Sequence, residues 1–518
     1  MKANRQKIVK ATALLAVLEA LTAGAGLLKQ MVVAAQFGTS ALTDAYVVAI
    51  TVTGLIQLWI TLPIRQVILP MFRYDLARQG EQNAWANISI LFNNLVLILI
   101  LIALVAWIGA PALVSLMSPG FAEETNRLAT ELTRITLVSL VLIPPSMILE
   151  QILFSYERFF LPGITDLVNN LVTVIVLLVV GTTYGIYGLA TAIVLGAACE
   201  FASQWPILWE KRKFYRRTID LRHPGMREVG RLSFPLLFAN SGVELGRITD
   251  RIFASLLPAG SLSALAFASR QTTVFLDLFV TPIGKSTFPH FTKLIAEENF
   301  QTLSRQLSRY FRLIIFVTLP IAIGSMVAAE PIVRLLYQRG AFDETSVRLT
   351  SQSLACYAIG FPALALSRVL TRTFVSLKDT WTPTIQSLLR IGVKVLLSWV
   401  LVQQFAHVGL ALAESFSQIL RTLLMFFLLP KEVKGQEEWD TIKSFAQTLA
   451  AGTLMGFVVY LVREQITGLF SVPVELATLV LLGIASYGAI AVLRKGEEVQ
   501  FMFKAFTALG TKALPRKS

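Results

Sequence analysis

The chain has 518 residues, of which 55% are hydrophobic and 15% are charged, and its formal net charge is +14. A soluble protein carries about 25% charged residues, so this low charged fraction and the mean hydropathy of +0.65 exclude a water-soluble globular protein. Apolar segments of about 20 residues recur along the chain, and each is long enough to cross a bilayer as a helix. They do not show the short alternating pattern of an outer-membrane barrel.

The apolar segments predict an all-α polytopic membrane protein with about fourteen transmembrane helices. The first segment is too long for the apolar region of a signal peptide, and no small-residue cleavage signal follows it, so it is counted as the first helix. In chain order, the predicted spans are 10–36, 44–72, 86–110, 128–154, 161–181, 186–209, 230–256, 262–290, 309–330, 346–376, 383–404, 408–429, 442–464 and 473–494.

The basic residues are concentrated in alternate loops. If both termini are cytoplasmic, the inner segments hold about thirty Lys and Arg residues and the outer segments about five, as the positive-inside rule requires. The most basic inner segment is "EKRKFYRRTIDLRHPGMREVGR", residues 210–231. The chain also lacks an aromatic-interleaved basic patch or a known reading motif, so no nucleic-acid partner is expected. The charge pattern predicts a multi-pass protein of the plasma membrane with both termini inside.

Two stretches of the first half of the chain return in the second half. "LVSLMSPGFAEET" (113–125) resembles "VRLLYQRGAFDET" (333–345), and "LPIRQVILPMFRYDLA" (62–77) resembles "TPIGKSTFPHFTKLIA" (281–296). The nearly equal offsets, 220 and 219 residues, indicate an internal duplication. At the first repeated corner, we expect Gly120 or Gly340 to take a tight φ, with acidic residues near a helix start.

The duplication also predicts the domain organisation. Each repeat holds an even number of helices, so both insert with the same orientation, as two parallel six-helix lobes. The predicted parts are an N-terminal lobe (1–210), a basic cytoplasmic linker (211–229), a C-terminal lobe (230–430) and two further helices with a basic tail (431–518).

No motif for soluble enzyme chemistry is present in the sequence. "GKS" at 284–286 lacks the upstream glycine of a phosphate-binding loop, because Phe279 stands there. There is no HExxH, no GxSxG and no carboxylate-rich metal motif. We therefore expect a transporter and not an enzyme, with no cofactor and no metal site.

Charged residues within the predicted spans are the main functional signal, because each is costly unless it is paired or faces a hydrated cavity. Arg247 and Arg251 share one helical stripe with Glu244, and the guanidinium fork suits phosphate oxygens. A cation-lined cavity for an anionic headgroup is one interpretation. An internal network of salt bridges, such as Glu414 with Lys394, is the other. The candidate headgroup-binding residues are Lys29, Arg65, Arg247, Arg251, Arg270 and Lys285, with Asp44, Glu244 and Asp250 as supporting acids.

Three stretches together resemble the MurJ/MviN family of the multidrug/oligosaccharidyl-lipid/polysaccharide exporter superfamily. They are "AAQFGTSALTDAYVVA", "AFASR" followed by "TPIGKSTFPHFTK", and "LLYQRGAFDET". The resemblance implies a fourteen-helix flippase that carries lipid II outward across the bacterial inner membrane by alternating access. It further implies an undecaprenyl-pyrophosphate-linked glycan as substrate, the bilayer and cell-wall synthesis proteins as partners, and a monomer. Arg270 matches the family's helix-8 arginine, Lys29 falls where the family has a helix-1 arginine, and Asp44 matches the acid of "TDA".

The chain also departs from the family pattern. Ala23 replaces an earlier helix-1 arginine, Gln57 and Leu62 replace charged residues of helix 2, and Ser269 stands where an acid often precedes the helix-8 arginine. These changes leave open a flippase of another undecaprenyl-pyrophosphate-linked oligosaccharide. A drug/cation antiporter predicts an acid-dominated cavity, a polyprenyl-phosphate transferase needs catalytic carboxylates, and a scaffold gains nothing from buried cations.

Overall fold

The computed structural model describes the backbone of residues 2–281, 291–434 and 438–493. Side chains are described for residues 14–231, 245–278, 280–281, 291–434 and 440–493. All regular secondary structure in these ranges is helical.

The first half of the chain forms eight helices. They are α1 (Lys2–Phe37), α2 (Ala41–Ile108), α3 (Ala110–Met117), α4 (Glu123–Thr136), α5 (Ser139–Ser155), α6 (Phe160–Ser203), α7 (Trp205–Glu210) and α8 (Pro224–Ser255). The described helices of the second half are α9 (Ser261–Phe275), continued by a π-helical turn (Leu276–Val280), α10 (Phe300–Val327), α11 (Ala329–Tyr337), α12 (Glu344–Ser376), α13 (Trp381–Leu428), α14 (Lys431–Lys434), α15 (Glu438–Ile466) and α16 (Val472–Leu493).

Within the described ranges, nine helical stretches are long and apolar enough to cross a membrane, which confirms the predicted all-α polytopic class. Three of the longest helices each contain one residue with non-helical backbone angles. These residues are Gly80 in α2 (φ 80°), Gly185 in α6 (φ 56°) and Ala406 in α13 (φ 49°). Each break falls between two of the predicted spans, so each of these helices corresponds to two apolar segments of the sequence.

The chain forms two compact units. The first comprises Met1–Ser263 and Arg339–Ser346, and the second comprises Ala264–Gln338 and Val347–Ser518. In the first unit, the aromatic rings of Phe72 and Trp85 meet edge to face, with centroids 6.0 Å apart, inside a core built from α2 and α5. The core of the second unit includes Phe311 and Phe361. The main boundary between the units falls at Ser263, near the start of α9, whereas the predicted lobes, 1–210 and 230–430, are separated by the linker 211–229.

The repeated corner has the same form at both of its occurrences. A short helix (α3 or α11) is followed by a turn and then by a helix with acidic residues in its first turn. Gly340 has a φ of +55°, as predicted. The expectation of a tight φ is wrong for Gly120, which is needed for close packing instead. A Cβ atom on Gly120 would lie 2.5 Å from the carbonyl oxygen of Ser255.

The second of these corners, residues 339–346, packs within the first unit although its flanking helices belong to the second. The Ala341 amide donates to the Ala35 carbonyl at 2.7 Å, at the end of α1. The Thr39 hydroxyl donates to Ser346 Oγ at 2.8 Å. The corner is therefore fastened to the turn between α1 and α2 by both backbone and side-chain hydrogen bonds.

Candidate functional site

Asp44 lies in the first turn of α2, after Ser40 caps the helix by accepting a hydrogen bond from the Thr43 amide. Its side chain is 3% exposed. The carboxylate accepts hydrogen bonds from the amides of Gly260 and Ser263, both at 2.7 Å, and Arg251 of α8 lies close enough to interact with it electrostatically. Because two backbone donors fix this carboxylate, it is a rigid part of the site.

Arg251 is half-buried on α8, and its Nε donates to Thr51 Oγ1 of α2 at 3.1 Å. Arg247 lies one turn earlier and is exposed, and Asp250 is half-buried beside Arg251 in the sequence. The side chain of Glu244 lies outside the described residues. The predicted stripe thus places one guanidinium against α2 and leaves a second one accessible.

The structure separates Arg65 from this group. Arg65 lies on α2, fourteen residues after Thr51, which corresponds to about 21 Å along a helix. It is exposed and lies within electrostatic range of Glu150 and Glu200. Lys29 is half-buried on α1. The predicted cations of the first unit are therefore spread over different depths and do not form one cluster.

In the second unit, Arg270 is half-buried on α9. No carboxylate in the described part of the chain lies within ion-pair distance of it, and its Nε has no hydrogen-bond acceptor there. Its charge interacts with Tyr337, and burial raises the pKa of that phenol to about 12. The positive charge of Arg270 is therefore partly buried, and it has no carboxylate partner among the described residues.

The π-helical turn after α9 carries a second charged group. Asp277 pairs with Arg368 of α12 at 3.3 Å, and the same guanidinium donates to Thr281 Oγ1 at 3.1 Å. Since π-helical turns occur frequently at functional sites, this end of α9 is a further candidate region. Lys285 lies outside the described residues.

For α13, the structure decides between the two interpretations that the sequence left open. Arg390 and Lys394 both pair with Glu414, at 2.9 and 2.6 Å. The two cations are 7% and 2% exposed. These residues form the internal salt-bridge network.

Sequence reasoning missed three acidic residues of the first unit, namely Glu150, Asp166 and Glu200. They lie in α5 and α6, within predicted spans, and interact with one another electrostatically. The signal was available, because an acidic residue inside an apolar span is costly in the same way as a basic one.

Helices long enough to cross a membrane, with charged side chains held inside them, define a polytopic helical membrane protein. A family model described as "Lipid II flippase MurJ" matches residues 33–481. The chain therefore belongs to the MurJ family of the bacterial inner membrane, as its sequence motifs suggested.

Individual relatives agree with this assignment. The chain is 25% identical over 476 residues to the lipid II flippase MurJ of Burkholderia cenocepacia, covering 90% of this chain and 92% of that protein. It is 27% identical over 479 residues to a "Probable lipid II flippase MurJ" of Thermotoga maritima, with 92% and 94% covered.

Solved structures show the same fold. A lipid II flippase MurJ in an inward closed conformation matches with a TM-score of 0.78 at 21% identity, covering 93% of this chain and 98% of the other. A multidrug resistance MATE family transporter of the MOP superfamily, in an inward-facing conformation, matches with a TM-score of 0.67 at 14% identity, covering 82% and 94%.

Proposed function

We propose that this protein translocates lipid II from the inner to the outer leaflet of the plasma membrane by alternating access. Membership of the MurJ family and the names of the relatives support this function. The observation that carries it is Arg270, a half-buried guanidinium without a described carboxylate partner. A cation held in this way within an apolar helix is stabilised when an anion binds it.

The proposed ligand group is the pyrophosphate of the lipid-linked precursor. A guanidinium can bind two phosphate oxygens at once, whereas an ammonium acts as a single point charge. The proposed headgroup-binding residues are Lys29, Arg65, Arg247, Arg251, Arg270 and Lys285, with Asp44, Glu244 and Asp250 orienting or balancing them. The polyprenyl chain would remain in the lipid while the headgroup crosses.

We further propose fourteen membrane crossings, with two parallel six-helix lobes (1–210 and 230–430), two C-terminal helices and both termini in the cytoplasm. The three broken helices support this number, since each counts as two crossings when it turns back at its non-helical residue. A monomer is the proposed state, and cell-wall synthesis proteins are the proposed partners.

Complementation tests the transport function. The native chain and its Arg270→Ala variant would each replace the flippase of a bacterium depleted of its own MurJ, and lipid II reaching the outer leaflet would be followed. We expect the native chain to restore translocation. Because a charge-assisted hydrogen bond contributes about 1.5–3 kcal/mol, the variant should bind the headgroup about 10- to 150-fold more weakly.

Arg127→Ala provides the matched control, because Arg127 is an exposed residue of α4 that pairs only with Glu131 one turn away. This control should transport like the native chain. Equal transport by the Arg270 variant would remove Arg270 from the binding site. A well-expressed native chain that flips a peptide-free undecaprenyl-pyrophosphate oligosaccharide in lipid vesicles, but not lipid II, would contradict the proposed substrate.

A further inference from the structure

Three carboxylates meet where α5 ends and where the two ends of α6 come together. Glu200, near the end of α6, is 3% exposed and accepts a hydrogen bond from Asn169 Nδ2 at 2.6 Å. Glu150 of α5 is half-buried. Glu150, Glu200 and the exposed Asp166 interact electrostatically with one another.

These acids have no ion-pair partner among the described residues. The one basic side chain that interacts with Glu150 and Glu200 electrostatically is Arg65, and it lies beyond ion-pair distance from both. Burying a carboxylate without a cation is far more costly than burying a neutral carboxyl group, and a second carboxylate nearby increases that cost. The arrangement therefore favours a protonated carboxyl group.

The side-chain amide of Gln204 also indicates a protonated carboxyl group. Gln204 is 0% exposed; its Nε2 donates to Thr165 Oγ1 at 2.5 Å, while its Oε1 receives no hydrogen bond within the described structure. Gln204 follows Glu200 by four residues, on the same helical face. A buried acceptor without a donor is costly, and a protonated carboxyl group on Glu200 would supply the missing donor.

The hydroxyl of Ser146 also lacks a hydrogen-bond partner in the described part of the chain. Ser146 precedes Glu150 by four residues on α5 and is 0% exposed. The Thr165 hydroxyl already donates to the Leu161 carbonyl at 3.0 Å. Since a hydroxyl has a single hydrogen, Thr165 has none left to donate to a neighbouring carboxylate.

Water can reach the edge of this group, because Asp166 and Arg65 are exposed. The charged groups that face the buried pair are Arg65 from α2 and Asp166 from α6 itself. Other elements packed against α6 contribute further charged groups, namely Glu19 and Lys29 on α1, Glu131 on α4, which accepts from Tyr187 at the far part of α6, and Glu210 on α7, which pairs with Arg158.

We propose that Glu200, near Glu150, forms a proton-binding site in the N-terminal unit, in which the Glu200 carboxyl group holds one proton that exchanges with water beside Asp166. The bound proton supplies the donor that Gln204 Oε1 lacks. When it leaves, the carboxylates attract Arg65; when it is bound, the charge of Arg65 is available to an anion. This last link to substrate rests on the proposed function, whereas the proton site itself does not.

Infrared titration of the substrate-free protein in lipid vesicles tests the site. The protein would carry ¹³C-carboxyl-labelled glutamate, so that the carboxyl C=O band of protonated glutamate is identified by its isotope shift. We expect a labelled band that is still present above about pH 6, where exposed glutamates with a pKa of about 4.3 are ionised, that is lost in Glu200→Gln, and that is lost or shifted by roughly one pH unit in Glu150→Gln. In Arg65→Gln its midpoint should move to higher pH, since a nearby cation stabilises the carboxylate.

Glu475→Gln is the matched control. Glu475 is a 7% exposed glutamate at the start of α16, and it accepts a hydrogen bond from Thr467, so this substitution should leave the band unchanged. The proposal is overturned if the native protein shows no labelled carboxyl band above about pH 6, where exposed glutamates are ionised, a result that needs no variant to fold. It is also overturned if the band survives both Gln substitutions, or if sodium in place of choline removes it at constant pH, which would indicate a metal cation site. Failure to flip lipid II leaves this measurement unaffected.

Discussion

Gly340 combines a left-handed backbone with a close contact. Its φ is +55°, and a Cβ atom there would lie 2.2 Å from the Ala35 carbonyl oxygen. We therefore expect Gly340→Ala to destabilise the protein by about 3 kcal/mol or more, because about 1–2 kcal/mol of backbone strain adds to a steric overlap. Thermal unfolding of the purified protein would measure the loss.

Gly80→Ala separates these two causes. Gly80 has a φ of +80°, but a Cβ atom there meets nothing within 4 Å. This variant should lose only the strain, about 1–2 kcal/mol. If both variants lost the same stability, the contact with Ala35 would not contribute.

Asp343 gives the same corner a pH dependence. Its carboxylate accepts from the amide and the hydroxyl of Ser346, both at 2.8 Å, and these bonds lower its pKa below the usual value of 3.8. The stabilisation is therefore present above about pH 4 and is lost as the pH falls through the lowered pKa of the folded state. Asp343→Ala should lower the free energy of unfolding by about 1 kcal/mol near pH 7, the usual contribution of a helix cap. Below the lowered pKa of Asp343, the same substitution should cost almost nothing.

Unfolding at several pH values would test this, with Glu124→Gln as the comparison. Glu124 is an exposed acid in the first turn of α4, and its loss should change stability by less than about 0.5 kcal/mol. A cost for Asp343→Ala that stays constant down to acidic pH would contradict the capping role of the ionised carboxylate.

Residue-level prediction succeeded where chemistry and spacing were enough. The sequence located Gly340 and the α13 charges, and it named a salt bridge between Lys394 and Glu414 as one alternative. It could not place Arg65 next to Glu150 and Glu200, because that proximity depends on how α2, α5 and α6 pack. Gly120 was expected to need a positive φ, but it is required by the approach of Ser255, which lies 135 residues away in the chain.

At the scale of elements, the two halves of α13 are joined by charge. Arg390 and Lys394 lie before the break at Ala406, and Glu414 lies after it. Removing the acid leaves two buried cations facing each other, so Glu414→Gln should cost about 3–5 kcal/mol. Lys394→Met leaves the pair of Arg390 and Glu414 in place and should cost distinctly less.

Chemical unfolding of the single and double variants would measure the coupling. Glu414→Gln leaves two cations without a partner, and the double variant removes one of them. Its loss of stability should therefore be smaller than the sum of the losses in the two single variants. Additive costs would show that the three side chains do not act as one network.

Hydrophobicity predicted the positions of the helices better than the breaks between them. The predicted spans lie largely on helices where the chain is described, with short breaks such as Leu137 and Val138 within span 128–154, because about 20 apolar residues in a bilayer have few alternatives to a helix. The turns at Gly80, Gly185 and Ala406 were predicted only as gaps between spans. Ala406 carries no glycine signal, so its left-handed backbone could not be read from residue type.

At the scale of the whole molecule, the predicted orientation can be measured directly. Cysteine would be introduced at Glu124, on the α3–α4 corner, and at Arg217, in the basic segment after α7, with the native Cys199 and Cys356 replaced by alanine. A membrane-impermeant maleimide should label the first site in intact cells and the second only after permeabilisation, since Lys- and Arg-rich loops stay inside. The reverse pattern would contradict the orientation.

The assignment of residues 339–346 to the first unit has a consequence for biogenesis. The N-terminal unit ends its main stretch at Ser263, yet it lacks its last segment until Ser346 has been made. At about 5–20 residues per second, ribosomes need roughly 4–17 seconds for the intervening 83 residues. During that interval, the Ala35 carbonyl and the Thr39 hydroxyl of the nascent chain have not yet met their final partners. The first half of this protein therefore completes its structure only after part of the second half has entered the membrane.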